Sequence, residues 1–311
     1  MKKLKLFTVL LAMLILVTPV LTACGSGDND DTLVIYDGQF SEMRIIHQMV
    51  KLLVEQDTDL TVEIRDEMAP PASYDQVVAG EADLTNSYDG TLLTTFLHLD
   101  PVDVPEGMTL YDFVNEQALE QDNTRLLGKL GTNNTYAVAA PQHIIDQYQL
   151  ETISDLAEVA DELVFAAEHD FFTEEGSAKY NPMVEFYDLD FKEGRQIDIS
   201  LKYSAINSGE VDVTVVYATD GLNKEAELVI LEDDRNFFPE YNGALLVNDD
   251  IFEKFEEKAP NLEEVLEQLT GQISDEEMVD MTYATDVGID GETSTPEAEA
   301  RKFLEAKGLL K

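Results

Sequence analysis

Short β-rich runs and amphipathic stripes alternate along this chain. Leu33-Val34-Ile35-Tyr36 reads as a strand, and Ile45, Ile46, Met49, Leu52 and Leu53 share one helical face behind Ser41, a natural capping residue. Thr61–Ile64 predicts a second strand. A helix should run from near Ser73 to Gly80, and Ala82-Asp83-Leu84-Thr85-Asn86 leads into Tyr88. A second rhythm begins after Gly131, with strands predicted at Tyr136–Ala140, Leu163–Ala167 and Val211–Val216. Ser154-Asp155-Leu156-Ala157 opens a helix, and another around Lys202–Asn207 ends at Gly209. Leu228–Leu231 and Gly243–Val247 follow. The last third is helical, with Leu262, Val265, Leu266 and Leu269 at helical spacing and Thr295-Pro296-Glu297 starting the final helix. The acidic stretch 112–121 reads as a solvated helix face, and no internal repeat is visible. This βαβ rhythm predicts a parallel-dominated sheet under helical cover. Ligand loops at strand ends suggest a cleft protein, because open α/β sheets bind beyond the carboxyl ends of their strands.

The N-terminus has a different character. Lys2, Lys3 and Lys5 precede an apolar run from Leu6 to about Leu21, and then comes Leu21-Thr22-Ala23-Cys24. This reads as a signal peptide over residues 1–23, and its small residues before a cysteine resemble a bacterial lipobox. The run is short for a ~20-residue membrane span. Cleavage before Cys24 would leave that residue to carry a lipid, with residues 24–31 as a small, polar tether on the outer face of the membrane. Cys24 is the only cysteine, so no internal disulfide or thiolate metal cluster is available.

The formal charge is −44, and loss of residues 1–23, which hold three Lys and no acid, would take it to −47. Phosphate backbones need Lys and Arg, so nucleic acid is not an expected partner. Self-repulsion of this size is relieved by salt, which points to a saline or alkaline exterior; a surface simply kept soluble by acids fits equally.

Candidate chemistry is carried by four of the 12 tyrosines. Tyr88, Tyr136, Tyr217 and Tyr241 lie at the ends of apolar runs beside small polar residues, as in Asn86-Ser87-Tyr88-Asp89-Gly90 and Tyr217-Ala218-Thr219-Asp220-Gly221. Ring faces turned inward attract a cation that offers no N–H donor, such as a quaternary ammonium. Tyr36, Tyr187, Tyr203 and Tyr283 read as packing residues. Asp220 either touches the cation or braces its loop, with Asp-Gly turn chemistry favouring the brace. Asn134 either orients Tyr136 or contacts ligand. Asp286-Val-Gly288-Ile-Asp290-Gly291…Glu297 matches part of a calcium loop, but Gly288 occupies a ligand position and a turn into a capped helix is preferred. The four histidines lack metal spacing, and His47 and His143 read as helix-surface residues. No G-x-S-x-G, P-loop or triad suggests an enzyme.

Ordered pieces of the chain carry a family likeness: Gly38-Gln39, Tyr88-x-Gly90-Thr91, Asn134-Thr135-Tyr136-Ala137, Ser154-Asp155-Leu156, Tyr217-x-Thr219-Asp220-Gly221, Asp233-Asp234-Arg235-x-Phe237-Phe238-Pro239, Tyr241 and Thr295-Pro296-Glu297…Lys302-Phe303-Leu304. From about Thr32 to Leu310 the chain resembles the quaternary-amine (glycine betaine/carnitine/choline) substrate-binding lipoproteins of osmoprotectant ABC importers. The resemblance implies an α/β, two-lobe periplasmic-binding-protein fold of type II, with a hinge and an interlobe ligand cleft. Lobe 1 would be 32–132 plus 236–311 and lobe 2 would be 133–235, with crossovers near Gly131–Asn133 and Asp234–Asn236. It implies that Tyr88, Tyr136, Tyr217 and Tyr241 form an aromatic box completed by lobe closure, and that Gln39 and Thr91 hydrogen-bond the ligand's polar tail. It also implies permease and ATPase partners and no cofactor or metal. Where some relatives hold a betaine carboxylate with Lys and Arg, this chain has Gln39 and the Arg-free segment Glu168–Glu174, so a broad quaternary-ammonium range is expected. A surface sensor or cation-binding lipoprotein of the same fold, serving no transporter, is the alternative.

Overall fold

Burial of every second residue sets the first strand of the computed structural model, which describes residues 31–172, 178–289 and 291–311. The signal peptide, Cys24, most of the tether, Thr173, Glu174 and Asp290 lie outside the described residues. Strand β1 (Thr32–Gly38) points Leu33 and Ile35 into a core and pairs in parallel with β2 (Thr61–Met68), matching Leu33 with Val62. The intervening helix Ser41–Asp57 buries Ile45, Ile46, Met49, Val50 and Leu53 completely. Truncating any of them would cost about 2–5 kcal/mol. Three C-terminal helices, Leu262–Glu267, Asp275–Asp286 and Pro296–Lys307, complete the same core through Leu262, Val265, Leu266, Met278 and Leu304.

Next to this core, β3 (Leu84–Tyr88) and β4 (Thr124–Leu126) are joined by a strand from much later in the chain. A five-stranded sheet intervenes, built from β5 (Tyr136–Pro141), β6 (Val164–Ala167), β7 (Glu193–Gln196), β8 (Val213–Tyr217) and β9 (Leu228–Ile230) in the order β7-β6-β8-β5-β9. It covers a second core that includes Phe165, Phe171, Met183, Tyr187 and Phe238. The chain then returns as β10 (Gly243–Asn248), antiparallel to both β3 and β4.

The parallel-dominated expectation is therefore corrected to a mixed arrangement. β1–β2, β6–β7 and β6–β8 are parallel, whereas β10 and β5 each pair antiparallel with two neighbours. The returning strand and the β5–β8 pairing bring together segments distant in sequence, which a local rhythm does not encode.

Two segments connect the cores side by side. Residues 132–135 run against 239–243: Asn134 N–H donates to Tyr241 C=O at 3.0 Å, Gly243 N–H to Thr132 C=O at 3.1 Å, and Thr135 Oγ1 to Pro239 C=O at 2.7 Å. Asn133 bridges Asn242 and accepts the Tyr241 N–H on its side chain at 2.6 Å.

Local expectations fared unevenly. Thr295 caps the last helix by accepting the Ala298 N–H, and Gly209 takes the left-handed conformation (φ +74°) after the helix Ile199–Asn207. Ser41 does not cap its helix: Phe40 is the cap residue and the serine hydroxyl bonds Asp286 on the helix Asp275–Asp286. The second helix starts at Pro70 rather than near Ser73, since proline suits a first turn. Ser154–Glu158 is a 3-10 turn. His47 is wholly buried rather than on the helix surface. Its Nδ1 faces Asp37 at 3.1 Å and its Nε2 accepts the Asn86 N–H at 3.1 Å, so both ring nitrogens find partners inside.

Candidate functional site

Strand ends deliver the four tyrosines in two pairs. Tyr88 closes β3 opposite Gly243, and Tyr241 stands two residues before β10, so their rings lie 5.4 Å apart at 31°. Tyr136 opens β5 in direct register with Tyr217, the last residue of β8, and these rings stack at 5.2 Å and 27°. Edge contact from Phe171 (5.4 Å) and a tilted contact from Phe238 (6.3 Å) support Tyr136 from the second core. Tyr217 is 40% exposed. Burial raises the phenols of Tyr88, Tyr136 and Tyr241 above their ordinary range, and Tyr217 adds to the rise at both Tyr136 and Tyr241.

The surrounding loops fix these rings. Thr91 Oγ1 and the Tyr241 hydroxyl share a hydrogen bond of 2.7 Å. Gly90 lets the Tyr241 ring approach, since a Cβ there would lie 2.1 Å from Cε2. Asp220 braces its loop as turn chemistry suggested, accepting the Leu222 N–H at 2.9 Å and the Tyr203 hydroxyl at 2.8 Å. Asn134 reaches across the crossover, with Nδ2 3.5 Å from Glu42 Oε2 and Oδ1 accepting the Thr219 N–H at 3.4 Å. Gln39 is exposed on the loop after β1, where its carbonyl accepts from Arg44.

A cavity of about 540 Å3 adjoins Tyr136 and Tyr217, lined by Glu168, His169, Phe171, Gln196, Ile197 and Asp198. The Lys202 ammonium, buried beneath it, bonds Glu168 at 2.6 Å and the Val215 carbonyl at 3.1 Å. Lys179 brings its ammonium 5.7 Å from the Tyr136 ring centroid. Sequence reasoning passed over both lysines.

It also passed over Glu42, which is 5% exposed. Its carboxylate accepts the Tyr88 hydroxyl at 2.8 Å and the Thr219 hydroxyl at 2.6 Å. Burial is the main cause that pushes its pKa from 4.5 up to about 7; the Thr219 and Tyr88 hydrogen bonds oppose the rise, and Asp275 and Asp220 add to it. The signal was present: Glu42 lies one turn before Ile45 and Ile46 and two before Met49, an acid standing in an apolar stripe. The second core also touches the first through the helix Leu222–Glu225. Lys224 pairs with Asp280 at 2.6 Å, and Gly221 packs so tightly on Tyr283 that a Cβ would meet its backbone nitrogen at 2.3 Å.

Asp286 receives the Ser41 hydroxyl, Ile289 and Glu292 bridge each other, and the Thr295 cap follows, as a turn entering a helix. Among the described residues, no group of three His, Cys, Asp or Glu could hold a metal, and no helix is long and apolar enough to cross a membrane.

Comparisons now give this arrangement a context. Residues 31–306 match the family described as the substrate binding domain of ABC-type glycine betaine transport systems, and the chain belongs to that family. The carnitine transport binding protein OpuCC of Listeria monocytogenes is 30% identical over 308 residues, covering 97% of this chain and 96% of the relative. The ergothioneine transport permease/ergothioneine binding protein EgtU of Helicobacter pylori is 31% identical over 233 residues, 75% of this chain but 40% of the relative. A crystal structure of a glycine betaine/carnitine/choline ABC transporter superimposes with a TM-score of 0.78 at 26% identity, covering 90% of this chain and 99% of the other. The fold is the two-lobe one of periplasmic binding proteins. The protein is accordingly an extracytoplasmic substrate-binding protein, not an enzyme, and it passes a small molecule to the permease and ATPase of an importer of the glycine betaine/carnitine type.

Proposed function

We propose that this protein captures quaternary ammonium solutes between the two tyrosine pairs. The observation that carries this reading is the pairing itself: Tyr88 with Tyr241 and Tyr136 with Tyr217, each at ring distances of 5.2–5.4 Å, beside the two crossovers. A methylated ammonium has no N–H to donate, so ring faces offer contact area and cation–π attraction together, about 0.5–2 kcal/mol each. Thr91 and Gln39 are proposed to face the polar tail, with Asn134 and Asp220 supporting the loops that carry the rings.

The lobes are proposed to divide at Thr132–Asn133 and just after Phe238, because Phe237 and Phe238 still pack on the second core. This is a few residues beyond the boundary read from sequence. Lobe 1 would then hold Tyr88 and Tyr241, lobe 2 would hold Tyr136 and Tyr217, and closure would complete the box. Cys24 is proposed to anchor the chain by a lipid after removal of residues 1–23.

The tail chemistry favours a range rather than one ligand. Glu168 and Asp198 line the neighbouring cavity, which suits a hydroxyl tail, and Lys179 stands close enough to Tyr136 to meet a carboxylate. Calorimetry with choline, glycine betaine, carnitine and ergothioneine tests the proposal. Choline binding that survives Lys179→Gln, with glycine betaine and carnitine weakened, is the expected pattern. No heat with any of the four would refute the box.

A further inference from the structure

One carboxylate stands behind the tyrosines of both lobes. Glu42 Oε1 accepts from Tyr88, and its Oε2 accepts from Thr219 and from Asn134. Thr219 lies two residues beyond Tyr217, and Asn134 lies two before Tyr136. Three of the four ring-bearing strand ends therefore converge on this group.

The charged groups that act on it most strongly are themselves acids: Asp220 and Asp275, on two other elements. Asp37, on β1, is engaged by His47. Arg44, on Glu42's own helix, is spent on the Gly38 carbonyl and Glu67. Tyr88 is a donor to Glu42, and Tyr241 lies beyond it. Among the described residues, no Lys, Arg or His forms an ion pair with Glu42. A buried carboxylate without a cation is unstable as an anion, which is why its pKa rises to about 7.

A permanent cation held between the ring pairs would supply what the fold omits. It would favour the ionised carboxylate through space. The ionised carboxylate, by accepting the Tyr88 hydroxyl, would make that ring face more negative in return. The coupling is mutual by linkage.

Resting on the tyrosine-box reading above, we propose that Glu42 is the counter-charge of the box, and that binding of a quaternary ammonium releases the Glu42 proton to solvent. Glu42 acts through Tyr88, Thr219 and Asn134 as a positioning residue and also sets preference for cationic over neutral ligands.

Choline chloride is the probe, because its charge is permanent and its hydroxyl does not titrate near neutrality. Calorimetry on the chain from residue 24 at pH 6, 7 and 8, in paired buffers of different ionisation heat at fixed ionic strength, counts protons directly. If only the ionised form takes the cation, affinity rises about tenfold from pH 6 to 8 for a group titrating near 7. Proton release accompanies it at pH 6 and 7 and fades by pH 8. Glu42→Gln is expected to bind more weakly, with no proton release and a flat pH profile. His169 borders the cavity and carries a titratable ring, so His169→Gln is run beside it and is expected to keep the release. Binding without proton release in the unmodified chain overturns the assignment to Glu42 and leaves the box standing, as does release that persists in Glu42→Gln. Absence of binding by any quaternary amine overturns the box itself. Should Glu42→Gln fail to fold, the proton count of the unmodified chain with His169→Gln still decides.

Discussion

Replacing Glu42 by glutamine keeps an acceptor for Tyr88 and removes a charge that burial disfavours, so the ligand-free protein should gain stability where the glutamate would be ionised. In the unfolded chain the carboxyl titrates at its ordinary 4.5, and in the fold at about 7. Below pH 4.5 both states hold the proton and the folded state has its full contribution. Between these values the folded state keeps a proton that the unfolded state has lost, so stability falls as pH rises. At about 1.36 kcal/mol for each pH unit, the loss accumulates to about 3 kcal/mol by pH 8. Other carboxylates impose a pH dependence of their own, which is common to both proteins and cancels in the comparison. Urea unfolding of the ligand-free pair at pH 4.5, 6, 7 and 8 and fixed ionic strength should show the Glu42→Gln advantage growing by about 3 kcal/mol across the range, with unchanged urea dependence. Parallel stability curves would refute the claim that Glu42 is an uncompensated buried acid.

Three further outcomes are expected. Tyr217→Ala removes a stacked, half-exposed ring and should weaken choline binding by about 1–2 kcal/mol, roughly five- to thirtyfold by calorimetry, with the circular dichroism spectrum unchanged. Gly90→Ala places a methyl 2.1 Å from Tyr241 Cε2, so the ring must leave and its bond to Thr91 must break; affinity should fall at least as far as in Tyr241→Ala. Lys202→Met strands Glu168 beside the cavity and should cost about 3 kcal/mol in urea unfolding, at the low end for a broken buried pair because Glu168 keeps some access to water.

Much of the framework was legible because the hydrophobic period is local. The stripe through Ile45, Ile46, Met49 and Leu53, the strand Val213–Tyr217 and the Thr295 cap each follow from a few neighbouring residues. What escaped was non-local. The antiparallel return of β10 between β3 and β4 depends on pairing across more than 100 residues, which no periodicity reports. Ser41 lost its capping role to an acid 245 residues away. His47 reads as a surface residue by type, yet its two partners lie on β1 and β3. Glu42 was overlooked for a related reason: an acid in the first turn of a helix is ordinarily explained by the helix dipole, and only packing reveals that Tyr88 and Thr219 surround it.

The register of β5 against β8 sets Tyr136 opposite Tyr217 with no loop between the ring and its strand. Side chains alternate faces at every residue, so a slip by a single position would turn one ring to the far side of the sheet while leaving most backbone bonds replaceable. Under the proposed tyrosine-box function, ligand capture would report this register. A molecule with this pair of strands misaligned would retain sheet spectra and near-native bulk yet hold no ammonium, so retention on an immobilised choline column would sort correctly threaded molecules from their near-misses where circular dichroism would not.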